Sequence, residues 1–145
     1  MMQEKTSIFR EGFTIERIQS RAGGTLAEVL GIRVTEVGPD YVVATMPVDH
    51  RTHQPMGILH GGASVALAET VGSVAANGTL DHDRQYAVGL EINANHLRSV
   101  RNGIVTAVAR PVHLGKSTQV WDIRLSDENG KQVCISRLTI AVLNK

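Results

Sequence analysis

Apolar and polar residues alternate with a period of two along most of the chain, and they lose this period in one central segment. Six stretches alternate in the manner of β-strands. They cover residues 32–37, 41–48, 86–97, 104–113, 118–127 and 132–142. Turn residues such as Gly38-Pro39-Asp40 and Glu128-Asn129-Gly130 separate neighbouring stretches. The pattern predicts two strands before the central segment and four after it.

The central segment, residues 59–77, is rich in Ala, Leu and Val and predicts one long helix with Gly78 as its C-cap. Apolar residues occupy most of its circumference, so we expect it to be buried. Short helical patterns at 13–19 and 26–30 precede the first strand. A single buried helix needs cover on all sides. The expected fold class is α+β, a curved antiparallel sheet wrapped around one long helix in a single domain spanning residues 1–145.

Composition and charge restrict the classes of partner. The 145 residues are 42% hydrophobic and 20% charged, which is ordinary for a globular domain. The formal net charge is +1, so no broad field favours nucleic acid or a membrane surface. No stretch reaches the ~18 uninterrupted apolar residues of a membrane span, and Met1-Met2-Gln3-Glu4-Lys5 lacks the apolar core of a signal peptide. We expect a cytoplasmic protein with no nucleic-acid or membrane partner.

Cys134 is the only cysteine and falls within an alternating stretch. It has no second cysteine with which to form an internal disulfide. The pattern predicts a small strand residue and not a thiol nucleophile.

The candidate chemistry begins at the start of the long helix. Gly61 and Gly62 follow His60 there, and the first N–H groups of a helix lack intrahelical partners. Glycines let a substrate carbonyl approach such bare donors closely, as an oxyanion hole requires. The alternative is that both glycines only permit tight entry of the helix into the fold.

Glu69 is a single acid among apolar residues of the same helix. Burial of an unpaired carboxylate is costly, so its presence indicates either a structural ion pair or a functional role. Desolvation would strengthen it as a base or a nucleophile. Ser73 lies one turn further along the same side. It can hold a water or orient Glu69, or bond its own backbone.

Gly61 and Glu69 cannot both reach one carbonyl from the same helix, because eight residues span about 12 Å along the axis. Two copies with antiparallel long helices would bring the start of one helix beside the middle of the other. A two-fold axis would then create two equivalent sites. We therefore expect a site at a homodimer interface, with Gly61 from one chain and Glu69 from the other.

Gln54 and His60 flank the entry to the helix. The amide of Gln54 can donate to a carbonyl or hold a water, and His60 can orient the loop or donate a hydrogen bond. For each residue, a role in stabilising the loop is an equally open interpretation.

Residues 52–64 together with Leu67-Ala68-Glu69-Thr70 resemble the signature of the hotdog-fold acyl-CoA thioesterases. The resemblance is strongest to the branch with 1,4-dihydroxy-2-naphthoyl-CoA hydrolase, the enterobactin-pathway proofreading thioesterase and the Arthrobacter-type 4-hydroxybenzoyl-CoA thioesterase. Residues 46–49, 89–96, 113–115 and 136–139 extend it over nearly the whole chain. It implies a helix inside a curved sheet, dimers paired into homotetramers, and hydrolysis of an acyl-CoA without metal or organic cofactor, coenzyme A being part of the substrate.

By this resemblance Glu69 is the catalytic carboxylate, acting as nucleophile or general base, and the Gly61 N–H polarises the thioester carbonyl. Gln54 and His60 support and orient that carbonyl, and the Ser73 hydroxyl lies near the attacking water. The residues matched to coenzyme A binding are Gly89, His96, Arg98, His113, Gly115, Lys116 and Ser117. Two of these are cations at a strand end or turn, from which they can reach phosphates. Solvated surface charge is the alternative for each.

The substrate class follows less directly. Met56 stands where the naphthoyl-type relatives carry an aromatic residue, and the chain has only two Phe, two Tyr and one Trp. An aryl pocket would therefore rely on aliphatic and thioether walls. We expect an aromatic acyl-CoA, such as 1,4-dihydroxy-2-naphthoyl-CoA, or a medium-length acyl-CoA.

Two alternative functions are a hotdog hydratase or dehydratase and a non-catalytic acyl-CoA-binding module. His60 directly abuts the oxyanion glycine, which is a poor position for the histidine of a dehydratase. A binding module would gain nothing from an unpaired buried Glu69.

Overall fold

The order of elements is the one that the alternation predicts, in a computed structural model that describes residues 6–145. The helices are α1 (Ile15–Gln19), α2 (Leu26–Leu30) and α3 (Gly61–Gly78). The strands are β1 (Arg33–Val37), β2 (Val42–Pro47), β3 (Gln85–His96), β4 (Ile104–Leu114), β5 (Thr118–Ser126) and β6 (Gln132–Asn144). The segment Met1 to Lys5, expected to lack a signal-peptide core, lies outside the described residues.

The six strands of residues 6–145 form one antiparallel sheet in the order β1-β2-β4-β5-β6-β3. Helix α3 packs on its inner face and contacts every strand from β2 to β6. Leu67 and Val71 of the helix are fully buried against this face, as is Trp121 of β5. Gly72 permits the close approach, because a Cβ built there would lie 2.7 Å from Leu138 Cδ2. The α+β class with a sheet wrapped around one helix is confirmed.

Helix α3 begins at Gly61, two residues later than predicted. Leu59 and His60 belong instead to a loop whose amides bond outside the helix. The Leu59 N–H donates to Val100 O at 2.7 Å, and the His60 N–H donates to Thr52 O at 2.8 Å. The first bond holds the entry loop against the β3–β4 connection, and the second closes the loop on itself. Apolar residues in that loop extended the helical pattern without belonging to the helix.

The predicted C-cap is also wrong, since Gly78 is the last helical residue and Thr79 is the cap. Gly78 is required for packing, because a Cβ there would lie 2.6 Å from Phe13 Cζ. Within residues 6–145 no helix, α3 included, combines the length and hydropathy that a membrane span needs.

Strand β3 lies at an edge of the sheet and pairs only with β6. A bulge at Leu90 interrupts the register, since Gly89 pairs with Ile140 and Glu91 with Thr139. The inner face of β3 carries five residues toward α3: Ala87, Gly89, Ile92, Ala94 and His96. Its other side exposes Tyr86, Val88 and Leu90. A long edge strand with exposed apolar residues is a surface on which a second chain can pair.

Cys134 is buried on β6, and this burial raises the pKa of its thiol. A raised thiol pKa leaves little of the nucleophilic thiolate. The prediction of a structural strand residue is therefore confirmed.

Candidate active site

The first amide of α3 is free to bind a ligand, and the second is not. His60 is the N-cap, and its Nδ1 accepts a hydrogen bond from the Gly62 N–H at 2.8 Å. The expectation of two bare donors is therefore wrong for Gly62. The Gly61 N–H has no hydrogen-bond partner among the described residues. An Nδ1 that accepts carries no proton, so His60 in this contact is protonated only on Nε2.

His96, the last residue of β3, lies directly against Gly61. A Cβ built on Gly61 would be 2.8 Å from His96 Nε2, closer than side chains tolerate. Glycine at this position therefore brings an imidazole beside the free amide. The sequence indicated both residues as candidates for the site but did not indicate their contact, because local patterns carry no information on how β3 is aligned with α3.

Glu69 lies in the middle of α3, above Gly89 of β3. A Cβ on Gly89 would be 2.6 Å from Glu69 Oε1. Within residues 6–145 the Glu69 carboxylate makes no hydrogen bond and no ion pair, so the alternative of a structural ion pair has no support there. Glu69 and Ser73 lie on a half-buried face of α3, so the expected complete burial of the helix is not found in the single chain.

The hydroxyl of Ser73 is also unpaired among the described residues. The sequence left open whether the Ser73 hydroxyl bonds to its own helix backbone. The neighbouring Thr70 makes a bond of that kind, donating from Oγ1 to the Ala66 carbonyl oxygen at 2.7 Å. Asn77 joins the helix to the edge strand, because its Nδ2 donates to Ser73 O at 2.9 Å and its Oδ1 accepts from the Ala87 N–H at 3.2 Å. A free hydroxyl one turn from a free carboxylate can hold a water.

Gln54 organises the turn that leads into the helix. Its side-chain Oε1 accepts a hydrogen bond from the Met56 N–H, and its own N–H donates to Ile58 O at 2.9 Å. The N–H groups of its side-chain amide remain available to a ligand. Met56 is 74% exposed at the tip of this turn. Gln54 thus stabilises the loop and still offers a donor, which joins the two interpretations left open by the sequence.

An ion pair holds the start of the same loop. The Arg51 guanidinium donates to Asp49, with Nη2 at 2.7 Å from Oδ2, and the Arg51 backbone N–H donates to Oδ1 at 3.0 Å. These hydrogen bonds, the side-chain ones first, lower the pKa of Asp49 to about 2. The buried Thr52 hydroxyl donates to Pro47 O at 2.8 Å. The loop is therefore fixed to the end of β2.

Apart from Gly89, which lies within β3 beneath Glu69, the residues matched to coenzyme A lie at two opposite ends of the sheet. His96 and Arg98 are at the end of β3 that adjoins Gly61. The other set is His113 near the end of β4 with Gly115, Lys116 and Ser117 of the β4–β5 turn, near the start of β3. A single chain does not bring the two sets together. It also leaves Gly61 and Glu69 about 12 Å apart along α3.

A groove of about 430 Å³ opens beside Ser73, between α3 and residues 10–21. Arg10, Arg17 and Arg21 line it, and the sequence reading assigned them no role. Only Arg17 lies on α1, so helical spacing in the sequence could not indicate that the three arginines come together.

The assembled groups suit acyl transfer to water. A free backbone N–H can stabilise an oxyanion, and an unpaired carboxylate can attack a carbonyl or remove a proton from water. Among the described residues no group of three or more His, Cys, Asp or Glu is arranged to hold a metal ion.

Comparison with known proteins gives a consistent picture. The family model described as "Thioesterase superfamily" matches residues 56–134. The chain is 50% identical to the 1,4-dihydroxy-2-naphthoyl-CoA hydrolase of Escherichia coli over 94% of this chain and 99% of that one. It is 51% identical to the proofreading thioesterase EntH of Cronobacter turicensis over 94% and 98%. A variant thioesterase from Pseudomonas aeruginosa superposes with a TM-score of 0.94 at 50% identity, covering 96% of this chain and 100% of that one.

Proposed function

The chain belongs to the thioesterase superfamily and is a thioester hydrolase with the hotdog fold, and we propose that its substrate is an aromatic or medium-length acyl-CoA. The relative named as a hydrolase of 1,4-dihydroxy-2-naphthoyl-CoA supports a CoA thioester as the substrate class. The reaction proposed here needs water and the residues of the chain, with no metal or organic cofactor.

One observation carries the mechanism: the free Gly61 amide and the unpaired Glu69 carboxylate lie on one helix, about 12 Å apart. We infer that each site combines Gly61 of one chain with Glu69 of a second. The Gly61 N–H donates to the carbonyl oxygen of the thioester as negative charge develops there. Glu69 attacks the carbonyl carbon or takes a proton from the attacking water, and the C–S bond breaks to release coenzyme A as its thiol.

The edge strand supports the same pairing. Each chain carries two pairs of residues that join α3 to β3, namely Gly61 with His96 and Glu69 with Gly89. Antiparallel pairing of two β3 strands, centred between Ile92 and Asn93, would place His96 of one chain opposite Gly89 of the other and so bring the first pair of one chain to the second pair of the other. It also brings Arg98 of one chain toward the β4–β5 turn of the other, uniting the two sets matched to coenzyme A. Association of two such dimers into a homotetramer is a further part of the proposal.

Supporting groups complete the site. Ser73 holds or orients the water beside Glu69, and the Gln54 side-chain amide donates to the carbonyl or to that water. His60 fixes the helix start so that the Gly61 N–H points to the substrate. His96 and Arg98 bind coenzyme A of the substrate from one side of the interface. Gly115, Lys116 and Ser117 bind it from the other.

The test follows free thiol released from a panel of aromatic and medium-length acyl-CoAs. Glu69→Gln should reduce kcat by about 10²-fold or more, because a positioned base or nucleophile contributes at least that much. Gly61→Pro removes the N–H, and proline is well accepted at the first helical position. It should reduce kcat by about 10²-fold to 10³-fold, the range for loss of one oxyanion donor.

Gly61→Ala is the matched control, since it introduces the same Cβ next to His96 but keeps the N–H. Equal thiol release by wild type and Glu69→Gln would refute the role of Glu69. Equal loss in Gly61→Ala and Gly61→Pro would assign the effect to crowding of His96 and refute the role of the amide.

A further inference from the structure

The groove beside Ser73 opens one helical turn from the proposed catalytic carboxylate of Glu69. Ser73, Val74 and Asn77 form its wall on α3, and Phe13 and Ile18 of the N-terminal segment form an apolar surface opposite. Ser73 is one turn beyond Glu69, and Asn77 is two turns beyond, or about 12 Å along the helix. An acyl group that enters this groove from the reacting carbonyl would pass Ser73 and reach Asn77.

The same groove is positively charged. Arg10, Arg17 and Arg21 line it, and Glu11 is the only acid among its lining residues. With His82 neutral, three arginines and one glutamate give the lining a formal charge of +2. None of the three arginines forms an ion pair among residues 6–145. Arg17 Nη1 lies 3.3 Å from the position of a Cβ on Gly12, another lining residue, which places this guanidinium beside the N-terminal wall of the groove.

An apolar wall and unpaired guanidinium groups together select a particular kind of acyl group. A plain hydrocarbon chain would use the apolar wall and leave the cations without a partner. A chain that ends in a carboxylate would use both, because arginine binds carboxylates through paired, charge-assisted hydrogen bonds. The groove volume of about 430 Å³ accommodates a chain of medium length and would be poorly filled by a two-carbon or three-carbon acyl group.

Building on the proposed function, we propose that the preferred substrate is a medium-length acyl-CoA whose far end carries a carboxylate, bound by Arg17 and Arg21. Arg10 adds positive potential at the same end. Selectivity then arises from Arg17 on α1 and Arg21 in the segment after it, neither of which is among the residues matched to coenzyme A.

The experiment compares two substrates of equal length, octanoyl-CoA and its ω-carboxylate analogue suberoyl-CoA. Wild type should have a kcat/KM for suberoyl-CoA at least about tenfold higher than for octanoyl-CoA, the scale of one charge-assisted contact. Arg17→Met with Arg21→Met should lower kcat/KM for suberoyl-CoA by about 10-fold to 100-fold and leave octanoyl-CoA within about threefold. Both single variants are measured too, and Arg33→Met, an exposed arginine outside this groove, should change neither substrate.

The outcomes separate this inference from the proposed function. Equal or better hydrolysis of octanoyl-CoA, with a ratio unaltered in the double variant, would overturn the inference and leave thioester hydrolysis intact. An equal loss for both substrates, with weaker inhibition by free coenzyme A, would assign the arginines to the coenzyme and also overturn it. No thiol release from any acyl-CoA would refute the proposed function and this inference with it.

Discussion

The carboxylate of Glu69 rests on Gly89, so closely that a Cβ on the glycine would lie 2.6 Å from Oε1. The strand thereby positions the carboxylate without any hydrogen bond or ion pair among the described residues. A carboxylate held by contact alone keeps all its lone pairs for a substrate or a water.

Gly89→Ala should therefore displace the carboxylate of Glu69 and lower kcat by about 10-fold to 100-fold. The added Cβ would force Oε1 to move, and a small displacement of a reacting group is enough for such a loss. Gly89 does not have a positive φ, so alanine is compatible with its backbone and the melting temperature should change little. Steady-state kinetics and thermal unfolding provide the two measurements. Gly23→Ala is the control, because a Cβ at Gly23 meets nothing within 4 Å. A Gly89→Ala protein with wild-type kcat would contradict the positioning role.

Mixing two inactive variants tests whether each site uses two chains. Glu69→Gln keeps the Gly61 donor, and Gly61→Pro keeps the Glu69 carboxylate. A mixed dimer would contain one intact site and one site with both defects. Unfolding and refolding the two proteins together at equal amounts should restore about a quarter of wild-type activity, because half of the dimers are mixed and half of their sites are intact.

Each variant refolded alone supplies the control and should stay inactive. If the site lies within one chain, every chain in the mixture carries a defect and no activity returns. That result would exclude the shared site while leaving the identities of the catalytic residues open to separate tests.

His60→Ala should lower the free energy of unfolding by about 1 kcal/mol, the usual cost of losing an N-cap. The acceptor that caps the Gly62 N–H disappears in this variant. His60→Asn restores a capping oxygen and should recover most of the stability. Urea unfolding checks both variants, with His50→Ala as the control because the His50 side chain is 90% exposed. Equal stability of His60→Ala and wild type would show that the cap contributes nothing measurable.

The Asp49–Arg51 pair predicts an acid-dependent part of the stability. The hydrogen bonds from Arg51 lower the pKa of Asp49 from 3.8 to about 2 in the folded chain, so folding favours the ionised carboxylate. This contribution is fully present above the unfolded pKa of 3.8 and is lost as the pH falls through about 2. The difference in unfolding free energy between wild type and Asp49→Asn should be constant above pH 3.8 and should shrink as the pH falls from 3.8 to about 2.

Arg51→Met provides the matched comparison for this pH dependence. Removing the guanidinium removes the main cause of the lowered pKa, so Asp49→Asn should have a much smaller pH-dependent effect in the Arg51→Met background. Chemical unfolding across the acid range measures all four proteins. The same pH dependence in both backgrounds would contradict the assignment of the effect to this pair.

The elements of the fold were predictable because they depend on local patterns. Alternation along each strand and the long apolar segment are properties of neighbouring residues, and both correctly indicated six strands around one helix. The ends of α3 were predicted less well. Leu59 has the apolar character of a helical residue but bonds to Val100, and Gly78 has the residue type of a cap but serves to admit Phe13.

The sequence by itself determined the candidate reacting groups of this protein, since the glycines at the helix start and the single acid on that helix stand out by residue type and spacing. Only the tertiary structure decided which contacts these groups make. It assigned the Gly62 amide to His60, left the Gly61 amide free beside His96, and set Glu69 on Gly89. It also brought three arginines to a groove next to Ser73. The physical reason is that these contacts depend on the register between β3, α1 and α3, which long-range packing sets and local sequence does not encode.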